Sequence, residues 1–478
     1  MNVLMVASEC APFVKTGGLA DVVGALPQAL AQVGIDCRTV LPAYPSLQPL
    51  VAKGKEVASF GDLPGGAGRL VQVKAKGITL LLLDAPRQFD RPGQPYTDQN
   101  GADWADNHQR FAALAQAAAR ISFDGLGDWR PDVVHAHDWQ AALAPVYLKQ
   151  EGRAGPKSVL TIHNIAFQGR YGAHVLNELG LRADWFNPDG LEYYGDVGFL
   201  KGGMMFADRI TTVSPTYARE ILTPHFGMGL DGVLHARANS LSGILNGIDT
   251  NIWNPADDTA LAATYDSRSL RRKDTNRKEI SERLGLDPKC DGPLFCVISR
   301  LTHQKGLDAL AGAVPHIVAR GGQLAVLGTG EPGLEDAFRE AAGTFTSNVG
   351  VHIGFDEGLA HLLQGGSDAI LIPSRFEPCG LTQLCALRYG TLPVVARTGG
   401  LADTVIDANA AALAAKCATG FVFGDVSVAG VQAAIDRVVS CYSNKTAWQS
   451  MQRAAMRQPV DWEQSAQAYA NLYGELAE

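Results

Sequence analysis

The chain is 478 residues long, 46% hydrophobic and 19% charged, with a formal net charge of −8. That length exceeds one ordinary core and calls for two domains or three. The acidic balance excludes a broad nucleic-acid surface, which needs clustered Lys and Arg, yet a small anion needs only two or three well-placed cations.

Met1 leads straight into "NVLMVASE", which reads as a buried strand, and the first basic residue is Lys15, so no signal peptide is expected. No apolar run is long enough to span a bilayer. The eight cysteines (Cys10, Cys37, Cys290, Cys296, Cys379, Cys385, Cys417 and Cys441) are scattered and form no C-x-x-C pair. They argue against a zinc ribbon or a disulfide scaffold and fit a reducing, cytoplasmic location.

Strand-like runs follow in order: "NVLMVAS", "DCRTVLP", "ITLLLLDA", "DVVHAH", "SVLTIHN" and "DRITTVS", some separated by helical stretches such as "HQRFAALAQAAARIS". After "GILNGIDTNIWNP" the pattern restarts with "PLFCVIS", "QLAVLG", "VGVHIG", "DAILIPS" and "LPVVAR". Strand–helix alternation implies parallel sheets wrapped by helices. The reading is α/β, with two doubly wound Rossmann-like domains, residues 1–244 and 245–457, and a C-terminal amphipathic helix, 458–478, packing back on the first. Such sheets bind ligands at the carboxyl ends of their strands, so function belongs in the loops there.

The first such loop, "KTGGLAD", sets Lys15 before Gly17, Gly18 and Asp21. The glycines permit close backbone approach, and the helix behind them favours an anion. A plain glycine turn with a solvated lysine explains the stretch equally well. "VVHAHDWQ" and "TIHNIAFQG" carry His135, His137, Asp138, His163 and Asn164. H-x-H followed by Asp can bind a metal, but the two faces of a strand divide these residues and no further ligand set completes a site. Asp138 and His163 read better as groups lining a cleft, and His135 as a satisfied core histidine.

In the second half, "VISRLTHQKG" places Arg300 and Lys305 after a buried strand, where two cations suit a diphosphate. "LGTGEPG" matches G-x-G-x-x-G at Gly328, Gly330 and Gly333, with Asp356 at the end of the next strand, and so suggests a nicotinamide oxidoreductase. Its interior position, and Glu331 and Pro332 where a helix should open onto pyrophosphate, weigh against that. "IPSRFEPCGLTQL" is the most specific stretch. Glu377 lies in a turn held by Pro378 and Gly380, where a carboxylate can accept sugar hydroxyls while N–H groups from Gly380 to Thr382 face phosphate. "TGGLAD" recurs at Thr398 beside this loop, after a late strand rather than the first, so it reads as local convergence and not a domain repeat.

Together "KTGGLADVVGALP", "HAHDWQ", "TIHNIAFQG", "YYGDVGFLKGG", "VSPTYARE", "LNGIDTNIWNP", "SRLTHQKG", "PSRFEPCGLTQL" and "RTGGLADTV" resemble the bacterial glycogen synthases and plant starch synthases across essentially the whole chain. The resemblance implies a GT-B fold with a deep central cleft, and retaining transfer of α-glucose from ADP-glucose to the non-reducing end of an α-1,4-glucan. It implies that Lys15, Gly17, Gly18 and Asp21 contact the donor. Arg300 and Lys305 would bind the diphosphate, and Asp138, His163, Asn164 and Asn246 would line the glucose site. Glu377 would hold glucose hydroxyls, Cys379, Gly380, Leu381 and Thr382 would wrap the donor, and Tyr96 would serve the acceptor or donor side. Phe355 stands where relatives often carry a Tyr against adenine, and Cys385 where related retaining enzymes often have a second Glu.

No carboxylate pair suggests a covalent route. Front-face displacement is therefore expected, in which the leaving phosphate takes the acceptor's proton and no metal or other cofactor is needed. Domain closure is expected as well, since Lys15 and Arg300 must meet one donor. A non-catalytic glucan-binding protein is the remaining alternative, disfavoured by the intact set of charged residues.

Overall fold

A computed structural model describes residues 1–477; Glu478, the last residue of the expected tail helix, lies outside the described residues. The chain divides into two compact units, Met1–Asn246 together with the chain from Trp462 onward, and Gly247–Asp461.

The first unit contains β1 (Asn2–Val6), β2 (Asp36–Pro42), β3 (Lys55–Leu63), β4 (Gly66–Ala75), β5 (Ile78–Asp84), β6 (Val133–His137), β7 (Lys157–Ile162), β8 (Arg170–Gly172), β9 (Glu192–Tyr193), β10 (Asp196–Gly198), β11 (Arg209–Thr212) and β12 (Leu241–Gly243). Nine of them form one sheet in the order β12-β11-β7-β6-β1-β2-β5-β4-β3. It is parallel from β12 to β5, while β4 and β3 add an antiparallel edge. Strands β1 and β6 are almost wholly buried, as interior strands covered on both faces must be, which is why they read as continuous apolar runs. The remaining three strands make a small antiparallel sheet, β8-β10-β9.

The second unit contains β13 (Leu294–Ile298), β14 (Gln323–Gly328), β15 (Val349–Ile353), β16 (Ala369–Ile372), β17 (Leu392–Ala396) and β18 (Phe421–Phe423), all parallel, in the order β15-β14-β13-β16-β17-β18. Counted within the unit this is 3-2-1-4-5-6, the order of a dinucleotide-binding sheet. Chain order reverses between β13 and β16, and in the first unit between β1 and β6. At such a point neighbouring strands send their connections to opposite faces, opening a crevice at the carboxyl ends.

The tail helix, Glu463–Ala477, follows the second unit in sequence but completes the core of the first. Trp462, Ala466, Tyr469, Leu472, Tyr473 and Leu476 recur at helical spacing and pack with Val3, Met5, Val22, Leu26 and Leu30. Tyr473 also carries the hydroxyl that meets Nδ1 of buried His135 at 2.7 Å, and Thr161 Oγ1 takes Nε2 at 2.5 Å. Both nitrogens of His135 are thus satisfied. No helix among the described residues is long and apolar enough to cross a membrane.

Tyr473→Phe keeps the ring in the core and strips His135 Nδ1 of its partner. A buried polar atom left unpaired costs about 1–3 kcal/mol. The urea midpoint of the first unit's unfolding is expected to fall accordingly, with little change in slope.

Candidate functional site

In the second unit the two loops flanking the reversal are fastened together. Gly306 has φ +68, and a Cβ there would lie 1.9 Å from the Pro373 carbonyl oxygen, so only glycine lets the loop after β13 lie against the loop after β16. The Arg375 amide donates to the Gln304 carbonyl at 3.0 Å, Gln304 Nε2 to the Phe376 carbonyl at 3.2 Å, and the Arg375 guanidinium grips Asp308 at 2.6 and 2.8 Å. Across this seam Lys305 Nζ meets Glu377 Oε2 at 2.5 Å, and Ser374 Oγ donates to the same oxygen at 3.0 Å. Glu377 Oε1 has no protein donor among the described residues, and neither does the exposed Arg300 guanidinium have an acceptor. The loops therefore present one free carboxylate oxygen, one free guanidinium, and an ammonium with two of its three donors unspent.

The glycine pair of the second TGGLAD lies directly under the Glu377 turn. Cβ atoms on Gly399 and Gly400 would fall 1.9 Å from the Glu377 carbonyl and 2.3 Å from the Cys379 carbonyl. The Gly400 amide donates to Pro378 O at 3.0 Å. Gly380 takes φ +71, Leu381 caps the helix Thr382–Tyr389, and Gln383 Nε2 ties back to the Cys379 and Gly380 carbonyls at 3.0 and 2.8 Å. The turn is thus rigid, with the first N–H groups of the helix at its exit.

The first TGGLAD is used otherwise. Gly17 is extended at φ −158, and a Cβ on it would meet nothing within 4 Å. No packing contact in the fold requires a glycine there. Lys15 is half-exposed and paired with Asp21 at 2.7 Å. Glu9, which the sequence reading passed over, organises this loop. Its buried carboxylate accepts the Thr16 amide and hydroxyl, the Gly17 amide at 3.2 Å and the Tyr96 hydroxyl. Tyr96 also meets Ser8 Oγ at 2.8 Å, and burial beside Glu9 raises its phenol well above the ordinary value. The available signal was a lone carboxylate closing an apolar strand in "VLMVASEC".

Asp138 directly follows β6 at φ +55, a strained position for a residue with a side chain. Its Oδ1 accepts the His163 amide at 2.6 Å and the Asn164 amide at 3.3 Å, binding the end of β6 to the end of β7. Its Oδ2 has no donor among the described residues. Burial pushes the carboxyl up to about 7 against those two donors, and Glu9 adds to the rise. His163 Nε2 meets His137 Nδ1 at 2.9 Å, and burial holds both rings neutral, His163 at about 3. The His135 and His137 rings lie 4.2 Å apart, tilted by 34°. Among the described residues no group of three His, Cys, Asp or Glu is placed to hold a metal ion. Asn246 closes the first unit with its Oδ1 buried and unpaired.

Phe355 is 85% exposed after β15, free to stack on a flat ring. Asp356 does not end that strand: it caps the helix Glu357–Gly366, accepting the Leu359 amide at 2.8 Å. The glycine fingerprint is spent on packing. Cβ atoms on Gly328 and Gly330 would lie 1.9 Å from Ser299 O and 2.2 Å from Leu301 O. The following helix, Pro332–Thr344, carries Glu335 in its first turn, and that carboxylate accepts the Gly330 amide at 2.9 Å. A pyrophosphate would meet negative charge there, so the dinucleotide reading fails on electrostatics.

The chain matches the family model described as starch synthase catalytic domain over residues 2–236 and that of glycosyl transferases group 1 over residues 277–455. It is 59% identical over 476 residues to the glycogen synthase of Roseobacter denitrificans, covering 100% of this chain and 99% of that protein. It is 54% identical over 477 residues to glycogen synthase 1 of Rhizobium meliloti, with the same coverage. Among solved structures, the catalytic domain of starch synthase IV from Arabidopsis thaliana, bound to ADP and acarbose, superposes with a TM-score of 0.88 at 32% identity, covering 100% of this chain and 99% of that one. The sucrose-phosphate synthase of Thermosynechococcus elongatus, at TM-score 0.60 and 16% identity over 99% of this chain and 98% of that one, shares the fold alone.

The two glycine pairs should respond differently to a methyl group. Gly17→Ala is expected to leave the unfolding midpoint unchanged and to weaken binding of the nucleotide-sugar donor. Gly400→Ala should cost about 1–3 kcal/mol of stability through the clash with Cys379 and lower kcat, because the Glu377 turn must move. Calorimetry and steady-state kinetics on the two variants read both effects.

Proposed function

Because this chain belongs to the glycogen and starch synthase family of GT-B glycosyltransferases, we propose that it transfers glucose from ADP-glucose to the non-reducing 4-hydroxyl of an α-1,4-glucan, with retention and release of ADP. The observation that carries the reading is the seam in the second unit, where the Lys305–Glu377 pair leaves Glu377 Oε1 and the Arg300 guanidinium without protein partners. An anion beside a polyhydroxyl group is the ligand such a set fits.

The reaction proceeds on one face of the sugar. The bond from C1 to the phosphate oxygen breaks as the acceptor oxygen forms its bond to C1. The acceptor's proton passes to a phosphate oxygen of the departing ADP. Arg300, Lys305 and the N–H groups from Gly380 to Thr382 stabilise the charge that gathers on the phosphate. Each such donor is worth roughly 3 kcal/mol, or about 100-fold in rate. Asp138 Oδ2 and Glu377 Oε1 serve the sugar, the first as negative charge towards its cationic carbon, the second as acceptor for its hydroxyls. Lys15, Asp21, His163, Asn164 and Asn246 complete the donor contacts, and Phe355 stacks on the adenine. No metal is required, since fixed cations do its work. The enzyme works in the cytoplasm, a reading supported by eight free cysteines.

Glycogen incubated with labelled ADP-glucose, UDP-glucose or GDP-glucose is expected to gain label from ADP-glucose, with no loss on adding EDTA. Incorporation from none of the three overturns the function, and loss with EDTA that magnesium restores overturns the metal-free route.

Asp138 supplies a second test. Its folded-state carboxyl is raised to about 7, so it takes up a proton as the pH falls through that value. If the charged form acts, kcat/KM should decline below pH of about 7. Asp138→Asn should remove that limb and lower kcat/KM by roughly 100-fold at pH 8.

A further inference from the structure

The motif "EYYGDVG" is absorbed by none of the roles above. Its tyrosines end β9 and enter the turn to β10. Tyr193 pairs with Asp196, so the hairpin turns on two residues, Tyr194 and Gly195. Both have positive φ, +51 and +84. A turn of that shape favours Asn-Gly, because the first position puts a side chain in the left-handed region. Tyrosine is a costly choice there, and its ring is 75% exposed, so packing does not compensate for it.

A second residue repeats the anomaly beside it. Met228 has φ +50 and is 43% exposed. Its carbonyl oxygen accepts from Tyr193 Oη at 3.2 Å and from Gln168 Nε2 at 3.1 Å. The Gln168 bond brings in the loop after β7, whose Phe167 is 55% exposed. Phe167 donates its amide to the carbonyl of Asn164, the residue next to His163. One carbonyl therefore gathers three exposed apolar side chains, and two of them sit on backbone that glycine or asparagine would hold more comfortably. Tyr193, itself buried, meets the Tyr194 ring edge-on at 4.8 Å and steadies it.

We propose that Phe167, Tyr194 and Met228 form a shelf on which the acceptor glucan lies beyond the reacting sugar. The proposal rests on the glucan-synthase reading and extends it. Aromatic faces are the surfaces on which the C–H faces of glucose rings stack, and an uncharged polymer suits a shelf with no unpaired cation in it. Continuity with Asn164 and His163 places it along the chain from the reaction rather than on a remote surface. A glucan several units long reaches it, and a short oligosaccharide does not.

The test compares Phe167→Ala and Tyr194→Asn with the wild type, using labelled ADP-glucose with glycogen and with maltotriose, and retardation in gels containing glycogen. Tyr194→Asn restores the residue the turn prefers, so its unfolding midpoint should stay level or rise while glucan binding weakens. Both variants are expected to raise KM for glycogen roughly fivefold to tenfold. Values for ADP-glucose, and kcat/KM for maltotriose, should not move. Unchanged glycogen KM and unchanged retardation in both variants overturn the shelf and leave the activity standing. A change in sedimentation with glucan binding intact assigns the patch to a second copy of the chain and also overturns it. A wild-type protein that neither incorporates glucose nor is retarded removes the synthase reading, and the shelf with it.

Discussion

The reversal of strand order beside the first strand of each unit is the constraint from which the rest follows. At β1/β6 and at β13/β16 the connections leave for opposite faces, and the carboxyl ends of the strands stay uncovered. Loops there must close on one another without a helix to cover them. In the second unit they do so through a partly buried ion pair, backbone hydrogen bonds and a glycine whose Cβ, if it had one, would lie 1.9 Å from a carbonyl oxygen. The same closure that holds the loops brings an ammonium and a carboxylate to one place. Structure and chemistry share these residues because only this part of the sheet leaves polar groups room to act.

The two candidate carboxylates solve a common problem in the same way. A catalytic acid group must be held still, and holding it consumes lone pairs. Glu377 gives Oε2 to Lys305 and Ser374, and Asp138 gives Oδ1 to two backbone amides. Each keeps its other oxygen free. Glu9, by contrast, spends both oxygens within the protein and is a clamp. Counting the oxygens separates groups that act from groups that position, where burial alone would class all three together.

The three-residue edge strands β12 and β18 are too short to show a pattern. The interior strands of the two large sheets and the loops bearing Lys15, Asp138, Arg300 and Glu377 were legible because interior parallel strands declare themselves as short apolar runs. Their ends are then fixed to within a residue or two. The hairpin β3–β4 was not, since an edge exposed on one side carries charges through its length, as in "KEVASFGDL". Glu9 escaped because Tyr96 lies 87 residues away and no helical or strand periodicity links the carboxylate to Thr16 and Gly17. Asp356 was misread for the opposite reason: a carboxylate after a strand has the same local appearance whether it meets a ribose or caps a helix. Which partner each carboxylate takes decides such cases, and that is what a sequence read alone does not display.

The repeated hexapeptide makes the same point within one chain. In both places T-G-G-L-A-D opens a helix, Gly18–Gln32 and Gly399–Thr404, so the local conformation is indeed written in the six residues. The use of the glycines is not. At Gly17 the missing side chain leaves empty space, and at Gly399 and Gly400 it admits the backbone of the Glu377 turn. A glycine that faces emptiness is available to a ligand; a glycine that faces a carbonyl has already been filled by the protein. The distinction lies in what approaches the Cα from outside the motif. Two identical strings thus do different work, the first opening a helix beside open space and the second keeping the Glu377 turn in place.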